Sequence, residues 1–190
     1  VVVVGGGGLG RTFFRSHLKK LKSKKRQYTL IAWGVGVDEI DERNKILKPE
    51  NKYELFGDWF DNFDEVGIRA YSNQQKFRYV PCASCLHDDF FKYRNVKPKK
   101  LMGLYNHKRV PLRLKDSTDS LEVNNNSGSN LQAKLDFISR FEFIVTNTYH
   151  GVYWATLLNR KVICLPFKSG CFSFKFPPIY SSRDINDDTL

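Results

Sequence analysis

Phe141-Glu142-Phe143-Ile144-Val145-Thr146-Asn147-Thr148-Tyr149-His150-Gly151-Val152-Tyr153-Trp154-Ala155-Thr156-Leu157-Leu158 decides the fold of this chain. Its first five residues are apolar, aromatic and β-branched, the composition of a buried parallel strand. Val152 to Leu158 predict an apolar helix that ends before Asn159. Between them, Thr146–Gly151 is a polar loop at the C-terminal end of a strand and the N-terminal end of a helix. In open α/β folds that edge is where ligands bind. The N–H groups of a helix's first turn favour an anion there. His150, followed by Gly151 and opening a helix, therefore reads as an acid or base more than as a satisfied core histidine.

The same alternation extends in both directions. Lys161–Pro166 predicts the next strand, and Lys168 after it could add a cation at the same rim. Lys100–His107 predicts a strand that ends in His107 on the same edge as His150. Leu131–Arg140 is amphipathic and helical in pattern, and residues 115–130 read as a polar linker. Upstream, Val1–Val4 runs into Gly5-Gly6-Gly7-Gly8, a strand ending in a glycine turn. A helix follows from Arg11 to Lys25, then a buried strand from Tyr28 to Val37 that also ends in glycines. Residues 38–52 read as a charged loop, and Trp59, Phe60 and Phe63 as a short helix. Glu65–Ala70 predicts a strand, Ser72 caps a helix over Asn73–Phe77, and Arg78–Cys82 is strand-like.

Strands alternating with helices predict an α/β protein with parallel sheets. The change of composition at residues 88–100, read as a linker, divides it into two Rossmann-like domains, 1–92 and 98–190, with their sheets facing a cleft. The chain starts inside a strand without an initiator Met, so the first domain reads as partial, with upstream units missing.

Composition narrows the function classes. Hydrophobic content of 41% argues for a folded protein rather than a disordered one. A formal net charge of +11 in 190 residues points to a polyanionic partner: a phosphorylated small molecule, nucleic acid or an anionic membrane surface. The four cysteines are too few and too unevenly spaced for a disulfide framework, and neither a signal peptide nor a membrane span is visible. A cytoplasmic location is expected.

Gly6, Gly7 and Gly8 permit positive φ and close backbone approach to a ligand, and serve equally well in a tight turn without one. Arg69, at the end of its strand, could fork onto a carboxylate or phosphate, or pair with Asp64 or Glu65. Cys82-Ala83-Ser84-Cys85 has zinc-like spacing but lacks a second ligand pair, so two reduced thiols are the expectation and no metal site is assigned. The basic run Lys19–Arg26 carries no interleaved aromatics, which argues for a solvated helix end rather than nucleic-acid binding.

In their order, these pieces resemble the polysaccharide pyruvyl transferase family: a strand into the glycine cluster, Ile31-Ala32-Trp33-Gly34-Val35-Gly36, Asp64-Glu65-Val66-Gly67-Ile68-Arg69 followed by Ser72, and Thr146–Gly151. That family is similar in fold to two-domain GT-B glycosyltransferases. The resemblance implies transfer of a pyruvyl group from phosphoenolpyruvate to a sugar of a cell-surface glycan or its precursor, forming a ketal, as in exopolysaccharide biosynthesis. By it, His150 and Arg69 are catalytic. Gly6, Gly7, Gly8, His107, Asn147, Thr148, Tyr149 and Lys168 contact substrate. No cofactor is implied beyond the donor. The acceptor could be lipid-phosphate-linked, which would bring the protein to the inner face of a membrane; no nucleic acid is expected. The chain departs from the family where many members carry an Arg shortly before the histidine, here Asn147 and Thr148, and where Cys82–Cys85 replaces a common Asp-Pro. Two other readings are a GT-B glycosyltransferase using a nucleotide sugar and a basic nucleic-acid-binding protein.

Overall fold

The computed structural model of the chain describes residues 1–9, 14, 17–18, 20–21, 28–36, 60–61, 63–71, 77–112, 121–166 and 169–181. Lys168, the loop 38–52, Trp59, the cap Ser72 with residues 73–76, and Lys19, Lys22, Lys24, Lys25 and Arg26 lie outside them. The chain divides into two compact units, Val1–Ser84 with Lys168–Lys175, and Cys85–Phe167 with Phe176–Leu190.

In the first unit, β1 (Val2–Gly5), β2 (Leu30–Val35), β3 (Glu65–Ile68) and β4 (Arg78–Tyr79) form a sheet in that order, every pairing parallel. Parallel neighbours require a crossover between successive strands. The C-terminal ends of β1, β2 and β3 therefore gather on one edge. Leu30, Ala32 and Val35 supply one apolar row, buried with Leu18, Phe60 and Phe63. Phe60 and Phe63 meet edge to face with ring centroids 5.4 Å apart, a preferred aromatic geometry. Asp64 fastens the start of β3 to β2: its carboxylate accepts from Leu30 N–H at 2.7 Å and its N–H donates to Leu30 O at 2.9 Å.

The second unit carries β5 (Lys100–Asn106), β6 (Val123–Asn125), β7 (Phe141–Thr146), β8 (Lys161–Cys164) and β9 (Ile179–Tyr180) in the order β6-β5-β7-β8-β9, again all parallel. Its helices are α1 (Asp89–Arg94), α2 (Leu131–Ser139) and α3 (Tyr149–Leu157). β7 lies between β5 and β8, and Phe141, Ile144 and Val145 are buried. α2 starts at Asn130, whose side chain accepts from Ala133 N–H at 2.9 Å, and buries Leu135, Phe137 and Ile138. Each such side chain contributes about 1.5–3 kcal/mol relative to exposure. α3 stops where Asn159 takes φ 56°, the left-handed conformation that asparagine tolerates after a helix.

Two rows of parallel strands with interleaved helices bear out the α/β, Rossmann-like expectation. Other elements differ from it. Residues 88–100, read as a linker, contain α1, which packs on α2. Its Phe90 and Tyr93, three apart and buried, are an apolar stripe obscured by the charges around them. That packing draws the division of the chain back to Ser84 and Cys85, ahead of the 92–98 span read from composition. The stretch 169–175 is tied to the first unit through Tyr71 N–H, which donates to Ser173 O at 2.9 Å. β6 also lies inside the expected 115–130 linker, because its pairing to Leu104–Asn106 comes from the sheet and not from its own Val-Asn-Asn composition. Among the described residues no helix is long and apolar enough to cross a membrane.

Candidate functional site

Two strand-edge constellations carry the candidate residues, one in each unit. In the second unit, β7 ends at Thr146 and α3 begins at Tyr149, so only Asn147 and Thr148 join them. Thr148 is the N-cap: its Oγ1 accepts from Gly151 N–H at 2.8 Å. Thr146 Oγ1 in turn accepts from Thr148 N–H at 3.1 Å, and the two hydroxyls lie 3.2 Å apart. A Cβ on residue 151 would sit 2.6 Å from Thr148 Oγ1 and closer still to Thr146 Oγ1. The Gly of His150-Gly151 is thus required by the hydroxyl pair beneath it. His150 falls in the first turn of α3 rather than in the preceding loop.

Aromatic rings hold the imidazole. Its centroid lies 4.8 Å from the Trp154 ring at a tilt of 33°, and 5.5 Å from Tyr149 edge-on. Trp154 meets the edge of Tyr105 at 6.4 Å. Tyr105, from β5, is fully buried, and among the described residues its hydroxyl finds no hydrogen-bond partner. Burial pushes the phenol well above the usual tyrosine range.

Asn147 is 1% exposed, and its amide is engaged by the neighbouring turn. Oδ1 accepts from His107 N–H at 2.8 Å, and Nδ2 donates to Val110 O at 2.6 Å. A second buried asparagine, Asn106, takes Leu112 N–H at 3.3 Å on its side chain. The turn at 107–110 is therefore fastened to the β7–α3 loop. One asparagine side chain thus joins the turn that holds His107 to the loop that leads into the helix of His150.

In the first unit, Gly6 and Gly7 adopt φ of 80° and 50° and are exposed, and among the described residues no atom lies within 4 Å of where a side chain would begin. Gly7 O accepts from Gly36 N–H at 2.9 Å, which ties the turn after β1 to the end of β2. Arg69 follows β3, donates its N–H to Val35 O at 3.1 Å, and is 8% exposed. Its guanidinium lies against Gly36: a Cβ there would come closest to Gly7 O and then stand 2.5 Å from Nε and 2.6 Å from Nη2. The glycine cluster, the second glycine pair and Arg69 meet at one edge of one sheet. Asp64, a partner considered for Arg69, sits at the opposite end of β3 and gives its carboxylate to Leu30 N–H.

β2 reaches this edge through an irregularity. Ala32 pairs with Val66 and Val35 with Ile68, so β2 carries one residue more than β3 between them. Gly34, at φ 58°, sits inside this bulge, and a Cβ on it would be 2.9 Å from Pro81 O. A glycine in the left-handed region is a recurrent way to insert that extra residue.

Among the described residues no three His, Cys, Asp or Glu side chains gather as a metal site. Cys82 and Cys85 are not disulfide-bonded, and Cys82 Sγ accepts from Ser84 Oγ at 3.3 Å. Lys168 is outside the described residues. Gly36, Trp154 and Tyr105 are not among the site residues that the sequence predicts. The four-residue spacing of His150 and Trp154 on a helix is a signal for their contact, whereas Gly36 and Tyr105 acquire their neighbours only through the sheets.

The family model for polysaccharide pyruvyl transferase matches residues 1–169. No curated protein and no solved structure gives a match.

Proposed function

The chain belongs to the polysaccharide pyruvyl transferase family, and from that premise we propose that it moves a pyruvyl group from phosphoenolpyruvate onto two hydroxyls of a glycan, closing a cyclic ketal. The family name indicates a transferase with a polysaccharide acceptor; the donor, the ketal product and the residue roles are our reading. The observation that carries this reading is the position of His150 in the first turn of α3, seated on Trp154 at the C-terminal edge of a parallel sheet.

The reaction needs a proton donor, a hydroxyl activator and neutralisation of the donor's negative charge. Protonation of the methylene carbon of phosphoenolpyruvate lets one sugar hydroxyl add to the adjacent carbon. Loss of phosphate then leaves an oxocarbenium centre that the second hydroxyl attacks. Of the two hydroxyl protons, one ends in the new methyl group and the other leaves with the phosphate. We assign the proton traffic to His150, since an imidazole near neutral pKa can both give and take. We assign the donor's anionic groups to Arg69, whose planar fork suits carboxylate and phosphate alike, and to the exposed turn Gly6–Gly7. The first-turn N–H groups of α3 add a second region favourable to anions. His107, on its Asn147-tethered turn, and Tyr149 would contact the acceptor.

The test is direct. The protein incubated with phosphoenolpyruvate and a panel of candidate glycans should release phosphate only when an acceptor is present, with a matching mass gain on the glycan. Absence of acceptor-dependent release, together with absence of phosphoenolpyruvate binding, would overturn the proposal.

A further inference from the structure

The turn after β5 is held far more firmly than its exposure requires. Lys108 and Arg109 form its tip, and His107 and Val110 pair across its base as an isolated antiparallel bridge. Every N–H of the four residues is committed. His107 N–H goes to Asn147 Oδ1 at 2.8 Å and Lys108 N–H to Asn126 Oδ1 at 2.9 Å. Arg109 N–H goes to His107 Nδ1 at 3.3 Å and Val110 N–H to His107 O at 3.1 Å. Asn147 closes the turn from both sides, since its Nδ2 also donates to Val110 O. Asn106 takes Leu112 N–H on its side chain and Asn126 N–H on its carbonyl. Three asparagines from the ends of three neighbouring strands, β6, β5 and β7, therefore fix this one turn. Asn106 and Asn147 are buried, a position asparagine takes only when its amide is satisfied.

What this turn presents is charge without a counter-ion. Lys108 and Arg109 are exposed, and among the described residues their side chains make no hydrogen bond or ion pair. No Asp or Glu stands in 106–112, 125–130, 147–148 or 165–166, the described loops on this edge of the sheet. The opposite edge of the same strands differs. There Lys100 and Arg140 pair with Glu122, and Lys161 with Glu142. Lys134 adds to the asymmetry: it is 8% exposed, and its Nζ donates to Gly128 O at 2.6 Å in the loop that brings Asn126 to the turn. Surface cations by themselves are ordinarily solvated. Here a fixed turn, an edge with cations alone and the N-terminus of α3 next to Asn147 all favour the same kind of ligand, an anion.

We infer that Lys108 and Arg109 recognise a phosphate group carried by the glycan acceptor. The inference rests on the proposed assignment of the acceptor to this turn and adds the chemistry by which the turn selects it. An ammonium and a guanidinium side by side offer a point charge and a planar fork to the oxygens of one phosphate. The backbone beneath them is already ordered, so binding costs freedom in the two side chains only.

Calorimetric titration of the intact protein tests this without any turnover. The probes are the 1-phosphates of glucose, galactose and N-acetylglucosamine, each beside its parent sugar, with inorganic phosphate as the reference anion. At least one sugar phosphate should bind about tenfold tighter than its parent sugar, the worth of two exposed ion pairs together, and tighter than inorganic phosphate. Lys108→Gln combined with Arg109→Gln should erase that difference. Phosphoenolpyruvate affinity and melting temperature should not move, since neither side chain bonds to the rest of the unit among the described residues. No phosphate preference in the wild type, or a preference that survives in the double variant, would overturn the inference. Inorganic phosphate binding as tightly as every sugar phosphate would make the turn an adventitious anion site and overturn it too. Loss of phosphoenolpyruvate affinity in the double variant would put the donor's phosphate on the turn and overturn the acceptor assignment. The pyruvyl-transfer reading fails separately: a protein that holds sugar phosphates through this turn but never consumes phosphoenolpyruvate keeps the phosphate site and loses the reaction.

Discussion

His150 and Tyr105 are two ionisable side chains joined through one indole ring, yet they face opposite fates. The imidazole is half-exposed at the start of α3, while the phenol is sealed in the sheet. Replacing His150 by Ala should lower turnover by roughly 10²–10⁴-fold, the usual worth of a general acid–base group, with circular dichroism and melting temperature unchanged. Retained activity would remove it from the reaction. Tyr105→Phe should raise stability, since a buried hydroxyl without a partner costs about 1–3 kcal/mol of desolvation. The same change has a pH signature. The folded phenol holds its proton above the usual tyrosine range, so above the ordinary value of 10.0 the unfolded chain releases a proton that the folded one keeps. Wild-type stability should therefore fall in that alkaline window, and urea titrations of Tyr105→Phe should show a smaller fall. The two histidines could be picked out from their positions at strand ends. The burial of Tyr105 could not, because it depends on β5 lying between β6 and β7.

At the scale of the element, the β7–α3 junction shows why this loop is short and polar. Three successive residues are committed to holding it: Thr146 and Thr148 through their hydroxyls and Asn147 through its amide. Thr148→Ala removes the N-cap and should cost about 1 kcal/mol in denaturant unfolding; turnover should also drop as the first turn of α3 loosens beneath His150. A stability unchanged within error would show that the cap is replaceable by solvent. Sequence pattern located this junction because an apolar strand and an apolar helix flank six polar residues. It did not reveal how those residues divide their work. Asn147 and Thr148, expected to touch substrate, have their side chains on backbone: Thr148 on Gly151 in its own helix, and Asn147 on the turn at 107–110, some forty positions away. α1 was hidden for a related reason: six residues with three aromatics, two of them buried, give no reliable period until α2 offers a surface for them.

For the whole molecule, the net charge of +11 bears on encounter rather than on fold. If the donor is an anion drawn by that field, its KM should rise with ionic strength as the charges are screened over about 10 Å at 0.1 M salt, while kcat stays nearly constant. A KM indifferent to salt between low and physiological strength would mean that the charge serves something other than donor capture. The two units repeat one architectural idea with different contents. Each is a parallel sheet whose strand ends gather on one edge; one edge carries glycines and an arginine, the other a histidine, aromatics and asparagine-tethered turns.

The sequence by itself determined the α/β class, the alternation of buried strands with crossovers, the strand-edge position of His150 and Arg69, and the family, because each follows from local periodicity or from an ordered set of short motifs. Tertiary structure alone decided that Gly7, Gly36 and Arg69 are neighbours, that Asn147 serves the His107 turn, and that Tyr105 lies against Trp154. These are contacts between separate strands and loops, and their partners are chosen by sheet order and register, which no local pattern in the chain encodes.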